Sequence, residues 1–256
     1  MKHPWRLAEV NLKFVRKANY QVAVLPIGAT EPHNLHLPYA TDNYEVETVC
    51  DRACAYAWKK GGKAVLLPTI PYGADQNMME FPFAMNVDGE VLYSIIENIT
   101  RSLEHHGVKK LVVVNGHGGN SFRSGVRTLY RKYKVFVCVV NWYDAVSQEC
   151  SKIFEHPGNH ADEFETSLMM HLTPDLVNIK DADDGKIRPS KFDAGNEGWA
   201  WYPRPFDRLT TNSGIGYPKK ATAAKGKKCL DLAEKKIGDF FVQLSKAKMD
   251  KKFPFK

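Results

Sequence analysis

Val22-Ala23-Val24-Leu25-Pro26-Ile27, followed at once by Gly28-Ala29-Thr30-Glu31-Pro32-His33-Asn34-Leu35-His36-Leu37-Pro38, is the stretch from which the architecture of this 256-residue chain is read. An apolar run with no polar alternation is the pattern of a strand covered on both faces. The change to Gly, Pro and His marks where that strand stops. Similar runs recur at Ala64 to Pro68, Leu111 to Asn115 and Val135 to Asn141. Between them lie stretches with apolar residues at helical spacing. Asn43 to Lys60 ends at Gly61-Gly62, and Val91 to His106 ends at Gly107, which are ordinary helix stops. Ser121 to Tyr133, Glu163 to Leu172 (stopping before Pro174) and Ala221 to Lys246 also read as helices. Strand and helix in alternation predict one α/β domain over residues 1–256, a mostly parallel central sheet flanked by helices on both faces. Only Asp181 to Pro218 breaks the pattern. A loop of that length is functional or poorly ordered, and its Trp199, Trp201, Tyr202 and Phe206 predict packing at a site mouth or on another subunit.

Composition narrows the function. With 43% hydrophobic and 25% charged residues, the chain has the make-up of a soluble globular domain. No apolar run approaches the roughly 20 residues of a membrane span. No apolar stretch follows Met1-Lys2-His3-Pro4-Trp5, so a secretory signal is not expected and the cytoplasm is the expected compartment. The five cysteines are scattered and odd in number, with neither a disulfide framework nor a Cys-x-x-Cys zinc site. Cys50 and Cys54 read as helix packing, Cys138 as strand core. Much of the formal charge of +7 comes from lysines near the C-terminus, the pattern of a solvated helix face and tail. No aromatic-rich basic motif accompanies them, so a small-molecule substrate is expected rather than nucleic acid or membrane.

Ligands of open α/β sheets bind beyond the carboxyl ends of the strands, so the chemistry is sought there. Glu31, His33, His36 and Asp42 fall within twelve residues after the first strand. Asn115-Gly116-His117-Gly118-Gly119-Asn120 follows the third strand, and Asn159-His160-Ala161-Asp162-Glu163-Phe164-Glu165-Thr166-Ser167 opens a helix. Each piece alone has an ordinary structural reading: a histidine by a turn, a tight strand-to-helix connection, or a phosphate cradle at a helix start. Their coincidence on one edge points to a metal site, because imidazole and carboxylate together suit zinc, manganese or iron(II). The potential ligands exceed what one ion needs, which suggests two divalent ions activating water.

Three of these segments, Gly28 to Asp42, Asn115 to Asn120 and His160 to Ser167, together resemble the creatininase (creatinine amidohydrolase) family. That family reads roughly Gly-x-x-Glu-x-His-Gly-x-His-Leu-Pro with a later Asp, then Asn-Gly-His-Gly-Gly-Asn, then His-Ala-Gly-Glu-x-Glu-Thr-Ser. Ser213-Gly214-Ile215-Gly216 and Ala221 to Gly226 extend the likeness toward the C-terminus. The resemblance implies a single α/β domain with a dinuclear centre, holding zinc or alternatively manganese or iron, in a homohexamer. By position, Glu31, His33, Asp42 and His117 match metal ligands, with Asp42 bridging, and His160 matches the histidine that handles substrate and the leaving-group proton.

The departures are informative. Creatininase itself carries a metal-binding glutamate two residues after the turn histidine, where this chain has Gly119. Glu163 is the expected replacement, as a ligand and catalytic group, while Glu165 is expected to be a buried helix carboxylate or a partner that orients a ligand. The tyrosine and tryptophan that embrace creatinine correspond to Gly118 and His156, so those positions are expected to face a substrate other than creatinine, and His36 is expected either to contact that substrate or to orient a metal ligand. Asn34 replaces a glycine and tolerates left-handed backbone. Asp162 is expected to cap the following helix, and His105, His106 and His171 to be structural. The expected reaction is hydrolysis of a cyclic amide, formamide or related C–N bond. Hydrolysis, isomerisation or lysis of a cyclic sugar- or inositol-derived ketone, and a non-catalytic binding module, are the competing readings.

Overall fold

The first strand, β1 (Val22–Ile27), is buried along its whole length and divides its side chains between two cores. Val22 and Val24 enter one apolar cluster, while Ala23, Leu25 and Ile27 enter the other. Of the remaining strands, β2 (Ala64–Leu66), β3 (Lys110–Asn115) and β4 (Phe136–Asn141), β3 repeats the division, with Val112 and Val114 on the first side and Leu111 and Val113 on the second. The unbroken apolar runs therefore reflect a sheet with no solvated face.

The computed structural model describes residues 2–156 and 158–256. Its helices are α1 (Leu12–Val15), α2 (Thr41–Lys59), α3 (Gly89–His105), α4 (Arg123–Leu129), α5 (Trp142–Cys150), α6 (Glu163–Leu172), α7 (Asp193–Asn196), α8 (Phe206–Leu209) and α9 (Ala223–Lys246). Residues of α2, α5, α6 and α9 build the first cluster, and α3 and α4 contribute to the second. This is the predicted α/β domain with helices on both faces. Helix α5 is not signalled by the sequence, because it starts directly at the end of β4 without punctuation. The predicted helix Ser121–Tyr133 is shorter, at Arg123–Leu129, and the predicted loop 181–218 contains the single-turn helices α7 and α8. No helix among the described residues is long and apolar enough to cross a membrane.

Strand order explains where a ligand belongs. The sheet runs β2-β1-β3-β4, all parallel. From β1 the chain moves outward to β2 through α2. It then crosses back past β1 to β3 through α3, and goes on to β4 through α4. Right-handed crossovers put connections of opposite direction on opposite faces, as the two core clusters show. The loops after β1 and β3 thus leave toward different faces, opening a crevice between them. Ile27 and Asn115, the last residues of these strands, are register partners, so the two loops depart at the same level.

Candidate metal centre

The loop after β1 is folded by its own backbone. Glu31 N–H donates to the Tyr39 carbonyl, and His33 and Leu37 form an antiparallel bridge. Asn34 makes the reversal possible in the left-handed region, at φ 55°, as predicted. Helix α2 then begins at Thr41, which places Asp42 in its first turn, where a carboxylate faces the positive helix end. The turn after β3 is clamped by its asparagines. Asn115 Nδ2 donates to the His117 carbonyl (2.8 Å) and Asn115 Oδ1 accepts from His117 N (3.2 Å). Asn120 Nδ2 donates to Asn115 Oδ1 (3.0 Å), while Asn120 Oδ1 accepts from Ala74 N (3.0 Å). The third segment is held by pairing between His160 and Ile215, by a left-handed Ala161 (φ 50°), and by Asp162, whose Oδ1 accepts from Phe164 N and Glu165 N as the expected cap. Ser213 ties the segments together, its Oγ donating to the Pro32 carbonyl (3.0 Å) and accepting from Asn34 N (2.9 Å).

These frames bring Glu31, His33, Asp42, His117, His160 and Glu165 into one buried cluster. Asp42 Oδ1 lies 3.1 Å from His33 Nε2 and Asp42 Oδ2 lies 2.9 Å from His117 Nδ1. Glu31 Oε1 stands 3.0 Å from His117 Nδ1, 3.6 Å from His160 Nδ1 and 4.0 Å from His33 Nε2. Glu165 Oε2 is 3.9 Å from His33 Nε2. Three overlapping triads have the spacing of metal ligands: Glu31, Asp42 and His117; His33, Asp42 and Glu165; and Glu31, His33 and His160.

The residues fit a divalent ion on two grounds. Each imidazole has one nitrogen occupied from outside and the other turned inward. His33 Nδ1 meets the Glu31 carbonyl (3.1 Å), His160 Nε2 meets the Pro32 carbonyl (2.8 Å), and His117 Nε2 faces Asp75 Oδ1 (3.0 Å). Such outer partners select the tautomer and aim the free lone pair. Second, Glu31 Oε1 and Asp42 Oδ2 are buried and converge on the single His117 Nδ1 at 3.0 and 2.9 Å without hydrogen-bond geometry to it, and two buried carboxylates sharing one imidazole nitrogen leave negative charge that a divalent cation would answer.

Mutual charge is visible in the proton affinities. Burial opposes the charged form of His33, but the carboxylates of Asp42, Glu165 and Glu31 outweigh it and raise its pKa to about 10. His117 is raised in the same way, against burial, by Glu31, Asp42 and Asp75. Burial would raise Asp42, yet His33 and His117 hold it below the usual carboxylate range. Burial, followed by the charge on His33, depresses His160 to about 3. Burial lifts Glu165 to about 8 and Asp75 to about 6.

Several expected site residues lie elsewhere. Glu163 does not enter the cluster. Its Oε2 accepts from the backbone N–H groups of Glu155 and His156 (2.8 and 2.9 Å), and its Oε1 accepts from Lys225 Nζ. The α6 carboxylate that does group with His33 and Asp42 is Glu165, two residues along the helix. His36 is buried and paired to Thr166 Oγ1 (2.8 Å), burial pushes it down to about 4, and it does not line the pocket over the cluster. Its contact is to α6. His156 also lies outside that pocket, with its ring packed against Tyr217 at 5.1 Å. Gly118 does line it, and a Cβ there would meet nothing within 4 Å. Gly119 is the opposite case, since its Cβ would sit 2.3 Å from His117 Nε2.

Asp75 is fully buried behind His117, and no motif in its surroundings announces it. Asn77, Asn159, Arg204 and Phe206 line the pocket; Phe206 and Arg204 come from the 181–218 loop, whose aromatic residues predict packing at a site mouth, whereas nothing in the sequence around Asn77 points to it. Of that loop's tryptophans, Trp201 lines the adjoining cleft but is 85% exposed, and Trp199 is 74% exposed.

Proteins of similar sequence and fold are known. The creatinine amidohydrolase of Pseudomonas putida is 28% identical over 238 residues, covering 85% of this chain and 87% of its own. The mycofactocin precursor peptide peptidase of Mycobacterium tuberculosis is 29% identical over 216 residues, covering 80% and 78%. A crystal structure of a Bacteroides fragilis protein named for creatinine amidohydrolase superposes with a TM-score of 0.90 at 36% identity, covering 98% of this chain and all of that one. The creatininase family profile, described as creatinine amidohydrolase, matches residues 8–241. With fold, clustered ligands and profile in agreement, the chain belongs to the creatininase family of metal-dependent hydrolases, whose members differ in what they act on.

Proposed function

We propose that the chain hydrolyses an amide-type C–N bond of a small polar substrate, using two divalent ions. Glu31, Asp42 and His117 hold one, and His33, Asp42 and Glu165 hold the other. The observation that carries this reading is Asp42, whose two oxygens are divided between His117 and His33 at 2.9 and 3.1 Å. A carboxylate so divided belongs to two ligand triads at once. Divalent ions bound there would polarise the scissile carbonyl and lower the pKa of an attacking water.

The chain's own residues account for the rest. His160 spends Nε2 on the Pro32 carbonyl, so proton exchange with a departing nitrogen runs through Nδ1, the nitrogen on the pocket side. Gly118 keeps the substrate side open, and Asn77 and Asn159 supply amide groups to orient a polar ligand. Creatinine amidohydrolase and a peptide peptidase are both named for cleaving amide C–N bonds, which supports the bond type. Zinc or manganese, and the homohexamer implied by the resemblance, belong to the same proposal; sedimentation tests the latter.

Elemental analysis of protein purified without chelator, with His117→Ala beside it, tests the reading. About two divalent ions per chain, falling in the variant, is the expected result. Protein that neither carries metal nor takes up added zinc or manganese would remove the mechanism.

A further inference from the structure

Arg204 stands where two spaces meet. It lines the small pocket over Glu31, Asp42, His117 and His160, and also a cleft of about 880 Å³ that opens beside Gly118 and Gly119. Its guanidinium carbon is 5.5 Å from the centre of the Phe206 ring, and that ring meets the His160 ring edge-on with centroids 5.5 Å apart. Arg204 is thus seated one aromatic ring away from the imidazole that faces the reacting atoms.

Its charge has no internal answer. No other lysine or arginine lines the small pocket, and no carboxylate among the described residues lies within ion-pair distance of Arg204, whereas Arg208 has Asp207 at 3.9 Å. The cleft also carries Glu80, Asp207 and Arg208, and the small pocket carries Glu31, Asp42 and Glu165, so Arg204 is the one cationic side chain common to both. A guanidinium on an aromatic face keeps its donor fork free, and that planar fork matches a carboxylate better than a point charge does.

Resting on the hydrolase reading above, we propose that the substrate is an anionic amide, whose scissile carbonyl lies over the carboxylate–imidazole cluster while an acidic group elsewhere in the same molecule, a carboxylate in the simplest case, is held by Arg204. Arg204 would then be the residue that selects acidic over neutral substrates.

The test uses monohydroxamates of succinic, glutaric and adipic acid, and the same compounds with the free carboxylate converted to a neutral methylamide. The hydroxamate seeks the metal whatever its tail, so tail charge is the only variable. Each is titrated by calorimetry into the metal-loaded protein, its Arg204→Met variant and its Arg204→Lys variant. We expect the acid-tailed compound of best length to bind about tenfold or more tightly than its neutral partner, Arg204→Met to abolish that preference, and Arg204→Lys to keep part of it. Equal binding of acidic and neutral tails by the unmodified protein, or a preference that survives Arg204→Met, would overturn the proposal while leaving the metal centre intact. Binding of neither series by the unmodified protein would remove the hydrolase reading, and this proposal with it.

Discussion

The loop from Gly28 to Asp42 and the segment from His160 to Ser167 deliver acid and imidazole to the same pocket, but on different backbones. In the first, a bridge between His33 and Leu37 and a left-handed Asn34 set each side-chain direction locally. In the second, two carboxylates stand two residues apart at the start of α6. Residues so spaced on a helix are about 200° apart around its axis, so Glu163 and Glu165 leave from opposite faces. Which one meets the pocket is settled by how α6 is rotated against its neighbours. Lys225 of α9 takes Glu163, and Gly226 lies so close to the Ser167 carbonyl that a Cβ would reach within 1.9 Å of it. That contact presses α6 and α9 together and turns Glu165 inward. A turn can therefore be read from its own residues, whereas a helix needs its partner.

The sharpest way to break this comparison is to neutralise the two glutamates separately. Glu165→Gln should lower metal content and reduce turnover about 100-fold or more. Glu163→Gln should keep its metal and lose about 1–3 kcal/mol of stability through the weakened contact to Lys225. Metal analysis and denaturant unfolding of both variants decide it, and loss of metal in Glu163→Gln would reverse the assignment.

The adjacent glycines of the second turn make a similar pair. Gly119→Ala puts a methyl group against His117, and should displace that ring and cost most of the bound metal, at about 2 kcal/mol or more in site stability. Gly118→Ala meets open space and should bind metal normally, with any defect confined to KM. Equal metal content in the two variants would show that His117 has slack.

A smaller effect is expected behind His117. Asp75→Asn keeps an acceptor for Nε2 but loses the charge, so zinc affinity should fall about 10- to 100-fold. The metal-free protein should change little in thermal stability, because a carboxylate whose charged form burial already disfavours is replaced by a neutral amide of the same shape. Unchanged affinity in a chelator competition would make Asp75 a packing residue only.

The smallest effect is a pH dependence on the Glu163 side. Burial would raise this carboxyl, but Lys225 and the backbone N–H groups of His156 and Glu155 lower it below its ordinary value. A depressed carboxylate contributes stability above its unfolded pKa and loses it as pH falls through the folded one. The stability difference between the native protein and Glu163→Gln should therefore be full at neutral pH and close on acidification below the ordinary glutamate range. A difference that stays constant down to strongly acidic pH would mean the contact is not electrostatic.

Apolar runs, glycine stops and strand-end histidines were enough to place four parallel strands, the helices on both faces, and Glu31, His33, Asp42, His117 and His160 on one edge. Each of those features is local: a strand buried on both sides must be apolar throughout, and a turn must carry the residues its φ values demand. The choice of Glu165 over Glu163, the recruitment of Asp75, and the placing of Arg204 and Phe206 over the pocket were decided only by tertiary structure. They depend on the rotation of α6 against α9 and on contacts between residues more than forty positions apart. The physical reason is that periodicity tells which face of an element is apolar, but a polar side chain at the border between two faces takes its direction from whatever packs beside it.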